Sequence, residues 1–265
     1  MNKIPVDNAC MSYRKNISIF DNALIHQNQP VLYHFDLYKF FDTITENRIF
    51  GFFRLLGYAP NLALDFAKIT TIPLCTEYIK MLSTDKAIPK KFPLDKNLGR
   101  LPQGAPTSPM LSNFILSKLD MRFRCLSEKS FINYSRYADD LIFSGQKENL
   151  PSLKLIKRII DEEGFFVNNK KTKIMTKGQK QYVTGLTVTN GVHVPKKFKK
   201  DIVNALYYCR KYGVQNHLKK IHSEKTGFKD WLLGKIFFVK SIEPTLGNKL
   251  LDQFNTIDWT GDIKF

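Results

Sequence analysis

The stretch FINYSRYADDLIFS, Phe131 to Ser144, reads as two runs of strand-forming residues with a pair of acids between them. Aromatic and β-branched side chains suit a pleated, half-buried surface, so Phe131 to Ala138 and Leu141 to Ser144 are predicted strands. Asp139 and Asp140 sit where a hairpin turns. Adjacent carboxylates beside buried strands repel one another in low dielectric, and a divalent cation relieves that cost. Hard oxygen ligands suit Mg²⁺. The plain alternative is turn chemistry, in which Asp side chains serve the local backbone.

Upstream, Val31-Leu32-Tyr33-His34-Phe35-Asp36-Leu37 is another apolar run of strand length that ends at an acid and leads to Phe40-Phe41. A lone Asp at a strand end is ordinarily a turn or cap residue. Side by side with the hairpin, however, it would bring a third carboxylate to Asp139 and Asp140. Two ions held about 4 Å apart by such a set can activate a 3′-hydroxyl and stabilise a leaving pyrophosphate.

Helical periodicity marks Thr45 to Gly57, capped by Thr43 or Thr45, with Ile49, Phe52, Phe53 and Leu56 on one face. Further helices are predicted over Asn61 to Ile69, over Ser108 to Cys125 with Pro109 in the first turn, and over Leu153 to Glu163 ended by Gly164. A short helix is predicted over the stretch ending at Asn22-Ala23-Leu24-Ile25-His26. Residues 84–100 read as a proline-broken loop. Phe165 to Val167 and Tyr182 to Val188 read as strands. After about residue 195 the pattern turns helical, as over Ile202 to Tyr212 and Trp231 to Ile242.

The whole chain has 265 residues, with 41 Lys and Arg against 24 Asp and Glu, a net charge of +17. Hydrophobic residues make up 43% of it, enough for a core and too many for a disordered basic tail. Nine lysines and no acid fall between residues 170 and 200, which points to a polyanion partner. The charge is spread along the chain, favouring nucleic acid over a membrane surface. Cys10, Cys75, Cys125 and Cys209 lie far apart, without zinc spacing, and read as reduced thiols. The opening MNKIPVDNACMSYRKN lacks the apolar core of a signal peptide, and no apolar run reaches transmembrane length, so a cytoplasmic protein with no membrane partner is expected.

Tyr137-Ala138-Asp139-Asp140 resembles the YxDD box of reverse transcriptases, and Phe35-Asp36-Leu37-Tyr38-Lys39-Phe40-Phe41 resembles their first metal-binding motif. Leu101-Pro102-Gln103-Gly104-Ala105-Pro106-Thr107-Ser108-Pro109 is similar to their LPQGxxxSP box. The three boxes stand in the family's order. Asn22-Ala23-Leu24-Ile25-His26 matches the NAxxH motif of the retron enzymes, and Val183-Thr184-Gly185 matches their VTG triplet. The resemblance covers about residues 10 to 190. It implies an α+β, right-hand polymerase fold: a short, reduced fingers region over 1–30, a palm over 31–190 with an interleaved fingers segment at about 45–100, and a mainly helical thumb over 191–265.

The resemblance also implies roles. Asp36, Asp139 and Asp140 would hold two Mg²⁺, with the Leu37 carbonyl reaching one ion. Phe41 would be the steric gate against a 2′-hydroxyl, with core packing as its plain alternative. Gln103 and Gly104 would line the nucleotide pocket, and Arg14 and Lys15 would grip the triphosphate. Lys171 would protonate the leaving pyrophosphate, with Lys170 and Lys173 as competitors. Tyr137 would support the primer end. Asn22 and His26 would contact RNA or brace the fingers, and Val183, Thr184 and Gly185 would lie against primer–template or RNA, the alternative being a strand with a bulge glycine.

The implied activity is RNA-directed DNA synthesis on a cognate structured noncoding RNA. It would use dNTPs and give a branched RNA–DNA hybrid (msDNA), with a separate effector protein in defence against phage. Two other readings stay open: a protein-primed or untemplated polymerase of the same superfamily, and a catalytically lapsed RNA-binding scaffold. The stretch from 195 to 265 has 14 Lys and Arg against 7 Asp and Glu, as a duplex-facing thumb would carry, and of the interleaved Tyr207, Tyr208, Tyr212 and Trp231 most are expected in the thumb core and one or two against RNA.

Overall fold

The structure, a computed structural model, describes residues 4–85, 88–220 and 227–259. Parts of the expected 84–100 loop and of the C-terminal helical region therefore lie outside the described residues. The chain divides into two compact units, Met1–Gln181 and Tyr182–Phe265.

In the first unit, helix α1 (Ile19–Ile25) precedes strand β1 (Val31–Asp36) and a 3-10 turn at Phe41–Thr43. Helices α2 (Glu46–Leu55) and α3 (Pro60–Thr70) follow, then β2 (Ile72–Pro73), α4 (Thr76–Thr84) and β3 (Gly99–Arg100). Next come α5 (Ser108–Ile115), α6 (Ser117–Ser130), β4 (Asn133–Tyr137), β5 (Asp140–Gly145), α7 (Leu153–Glu162) and β6 (Lys173–Thr176). The expected α+β class holds.

The main sheet is antiparallel, in the order β4-β5-β1-β6. Leu141, Ile142 and Phe143 are all buried, because both faces of β5 are covered. Phe143 sits at the centre of an aromatic cluster, 4.8 Å from Tyr134, 5.0 Å from Phe123 and 6.0 Å from Phe35, ring centre to ring centre. Such pairs add about 0.5–1.5 kcal/mol each beyond area burial. Helix α7 buries Ile156, Ile159 and Ile160, and its cap residue Ser152 accepts a hydrogen bond from the Leu155 amide.

Three local expectations are corrected. The helix expected over Ser108 to Cys125 breaks at Leu116, which is fully buried and ends α5 while starting α6. The break turns Leu111 and Phe114 on one side, and Leu119 and Phe123 on the other, into the same core. Phe131 does not begin a strand. It ends α6 in the left-handed region (φ 52°) and is 88% exposed. Phe165 and Phe166 are buried without strand pairing, and only Val167 makes a bridge, to Leu37.

The second unit starts with a two-strand hairpin, β7 (Tyr182–Val183) and β8 (Leu186–Thr187). The single strand expected over 182–188 is thus folded back on itself. Thr184 (φ 45°) and Gly185 (φ 83°) form its two-residue turn, since such turns need positive φ at both positions. Helices α8 (Lys196–Tyr212), α9 (Val214–Lys220), α10 (Phe228–Ile242) and α11 (Pro244–Asn255) follow. Gly247 lets α11 approach α10: a Cβ there would collide with the Lys240 backbone. This second compact unit begins at Tyr182.

Candidate active site

The antiparallel pairing of β1 and β5 places Asp36 directly opposite Asp140. One residue further, the Leu37 amide donates to the Asp139 carbonyl at 2.9 Å. The three expected acids therefore meet at one end of the sheet. Asp36 is 6% exposed, and both of its oxygens are engaged. Asn168 Nδ2 donates to Oδ1 and Lys171 Nζ to Oδ2, each at 3.0 Å. Of the three competing lysines, Lys171 is the one bonded to this carboxylate, and the bond raises its pKa, keeping it protonated. Asp140 Oδ1 lies 2.7 Å from His34 Nε2. Among the described residues no side chain bonds the Asp139 carboxylate in this way. Burial pushes its carboxyl pKa up, its own backbone amide pulls it down, and the charges of Asp140 and Asp36 add to the rise.

Asp36 and Asp139 line a cleft of about 500 Å³. Phe41 lines it, half-buried, with its ring 5.0 Å from that of Phe40. Gln103 also lines it. Gly104 follows Gln103 as an exposed residue at φ 93° and is not part of the lining. The structure does not bring Arg14 and Lys15 into the cleft, a correction to their expected place. The Arg14 guanidinium closes the N-terminal segment on itself, donating to the carbonyls of Asp7 (3.3 Å) and Cys10 (3.0 Å), and Lys15 is exposed. The cations that do line the cleft are Lys39, whose Nζ lies 5.1 Å from the Tyr78 ring centre, and Lys171.

Asn22 and His26 are fully buried, which corrects the expected RNA contact. Ser135 donates its hydroxyl proton to Asn22 Oδ1 at 2.6 Å. Its oxygen then accepts from His26 Nε2 at 2.8 Å, so Nδ1 accepts from the Ser144 hydroxyl at 2.7 Å. The pair braces β4 and β5 from α1. Burial pushes the His26 pKa down to about 3. In the unfolded chain His takes up its proton near pH 6.5. Between these values the unfolded state binds more protons, so stability declines as pH falls through that window, by about 1.4 kcal/mol per pH unit at most. Urea midpoints measured from pH 7 to 5 should drop in the parent, and the drop should shrink in His26→Gln.

Tyr137 is half-buried at the end of β4, opposite Asp140. In the second unit Val183 is buried, so its side chain is not a nucleic-acid contact, whereas Thr184 and Gly185 form a half-buried to exposed turn.

Sequence reasoning missed four groups here. His34 shares the strand face of Asp36 through period-2 alternation, a signal legible in hindsight. Asn168 lies beside Lys171 in the same loop. Arg136 is fully buried and bidentate to Asp120 of α6, at 2.7 and 2.8 Å for the closest contacts, and Asp120 also accepts from Tyr134. An Arg inside a strand hints at a buried partner, but nothing local names it.

Divalent metal dependence calls for oxygen donors, and Asp36, Asp139 and Asp140 supply them. Among the described residues no three His, Cys, Asp or Glu side chains form a ready-made cluster. Asp139, with two further carboxylates beside it, nevertheless fits a hard cation once Asn168, Lys171 and His34 yield their oxygens.

The sequence profile of the reverse transcriptase (RNA-dependent DNA polymerase) family matches residues 2–228. The retron Mx162 reverse transcriptase of Myxococcus xanthus is 29% identical over 97% of this chain and 54% of its own. The retron Ec73 reverse transcriptase of Escherichia coli is 32% identical over 98% of this chain and 78% of its own. This chain thus spans just over half the length of the first relative. Apo telomerase from Candida tropicalis aligns with 90% of this chain and 42% of its own, at 14% identity and a TM-score of 0.46, a distant likeness. With the profile spanning most of the sequence and the retron relatives most of the chain, the protein belongs to the reverse transcriptases, in their retron type.

Proposed function

We propose that the chain is an RNA-directed DNA polymerase that copies part of a cognate structured noncoding RNA into single-stranded DNA. The product is a branched RNA–DNA hybrid, and the complex acts in the cytoplasm with a separate effector in defence against phage. The observation that carries this reading is the meeting of Asp36 with Asp139 and Asp140 across β1 and β5, over a cleft that also holds Phe41, Gln103 and Lys171.

In this reading Asp36, Asp139 and Asp140 hold two Mg²⁺, with the Leu37 carbonyl reaching one. When bound, the ions favour the ionised 3′-hydroxyl and offset charge on the phosphates. Lys171, kept protonated beside Asp36, donates a proton to the departing pyrophosphate. Gln103 and Gly104 contact the nucleotide, and Tyr137 supports the primer end. The Phe41 ring lies under the deoxyribose and collides with a 2′-hydroxyl. Phe41→Ala should raise rNTP over dNTP incorporation by about tenfold or more, read by primer extension with each nucleotide alone. Unchanged discrimination would remove Phe41 from this role. Residues 191–265, which include the helices α8 to α11, supply the thumb.

The test is to express the protein with its flanking noncoding DNA, purify it and sequence the nucleic acid that accompanies it. A branched RNA–DNA species whose DNA vanishes in Asp139→Asn/Asp140→Asn supports the reading. DNA without joined template RNA supports protein-primed or untemplated synthesis. RNA alone, unchanged in the variant, supports a scaffold.

A further inference from the structure

We propose that Ser12 and Arg136 are positioning residues that hold the turn carrying Asp139 in a backbone conformation its own residues disfavour. The proposal rests on Asp139 serving the polymerase site described above. Ala138, the residue before Asp139, has φ 55°, in the left-handed region that Cβ sterics disfavour. Both of its backbone groups are held. Its amide donates to Ser12 Oγ at 2.8 Å, and its carbonyl accepts from Arg136 Nη1 at 3.1 Å.

Asn113 of α5 closes these contacts into a ring. Its Nδ2 donates to the Ser12 carbonyl at 2.9 Å, and its Oδ1 accepts from Arg136 Nη1 at 3.2 Å. Ser12, Asn113 and Arg136 are fully buried. The N-terminal segment is itself laddered to β4: the Met11 amide donates to the Arg136 carbonyl at 2.8 Å, and the Arg136 amide to the Ala9 carbonyl at 2.7 Å. Three separated parts of the chain thus converge on one strained residue.

Ser12, Asn113 and Arg136 are not among the residues that line the cleft. The ring's effect on chemistry runs through the turn. Rotation about Ala138 would move the Asp139 carboxylate relative to Asp36, and the ring opposes that rotation. Arg136 also neutralises buried Asp120, so changing it disturbs more than the turn. Ser12 is the cleaner probe.

Primer extension on an RNA template, with Mn²⁺ affinity measured separately from the free-ion electron paramagnetic resonance signal, tests the proposal in the full chain. Ser12→Ala should lower kcat about tenfold, the size of one lost hydrogen bond, with KM for dNTP changed less than about twofold and Mn²⁺ affinity reduced. Adding Ala138→Gly should restore most of both losses, because glycine adopts positive φ unaided. A purely structural Ser12 would not be rescued this way. Asn113→Ala opens the ring without touching the turn. Its loss should be relieved by Ala138→Gly too, and it decides the matter if Ser12→Ala fails to fold. A Ser12→Ala protein with parental kcat and Mn²⁺ affinity, or a double variant no better than the single, overturns the proposal. If the parent and Asp139→Asn incorporate dNTPs equally, the polymerase reading fails instead. The Mn²⁺ affinities of the single and double variants then decide the role of the ring by themselves.

Discussion

Asp139→Asn should reduce dNTP incorporation by on the order of a thousandfold while leaving the protein as stable as its parent, or more so. The loss follows from removing one of three carboxylates that meet at the end of β1 and β5. The stability follows from the sign of the Asp139 shift. Its carboxyl pKa is raised in the folded state by burial and by Asp140 and Asp36. The folded state therefore binds more protons than the unfolded one between the unfolded and folded pKa values. Stability falls as pH rises through that window, and the charged Asp139 remains a net cost at neutral pH. An amide of the same shape removes the cost. Thermal melts in metal-free buffer and primer extension read the two effects. A large fall in melting temperature would show that Asp139 is a structural anchor instead. Parental incorporation would show that it is not in the reaction.

The second large effect concerns the pair beneath the turn. Arg136 and Asp120 are both fully buried and joined by a bidentate ion pair. Either partner left alone is an uncompensated charge in low dielectric. Arg136→Met or Asp120→Ala should each cost about 3–5 kcal/mol, read by urea unfolding. The double variant should cost less than the sum of the singles by about 2 kcal/mol, since it leaves no orphaned charge. Additive losses would mean that the two residues act independently. Asp120→Ala also removes the acceptor of the Tyr134 hydroxyl, which sits against Phe143 in the centre of the core.

Much of this arrangement is legible in local pattern. Apolar runs and 3.6-residue periodicity mark β1, β4, β5, α2, α3 and α7, because these elements bury a face that sequence spacing alone defines. The three acids stand out because carboxylates directly beside buried strands need a reason. Motif order then names the family. Local pattern failed at points where the backbone turns into the left-handed region. Val183, Thr184 and Gly185 read as part of one strand, yet positive φ at Thr184 and Gly185 folds the chain back after Val183. Phe131 has the composition of a strand residue, but it closes α6.

The deepest difference lies in what the polar residues do. Composition and spacing by themselves determined that this is a basic chain with enough apolar residues for a core and with acids at the ends of apolar strands, and its boxes resemble those of reverse transcriptases. Only the tertiary structure decided that His26 bonds Ser144, 118 positions away, rather than meeting RNA. It alone decided that Arg14 closes its own segment, that Lys171 rests on Asp36 and that Ser12 reaches Ala138. The physical reason is range. Periodicity and turn chemistry act within a few residues and are written in the order of the chain. A buried polar group takes whichever partner the packed sheet brings to it, and that partner has no sequence address.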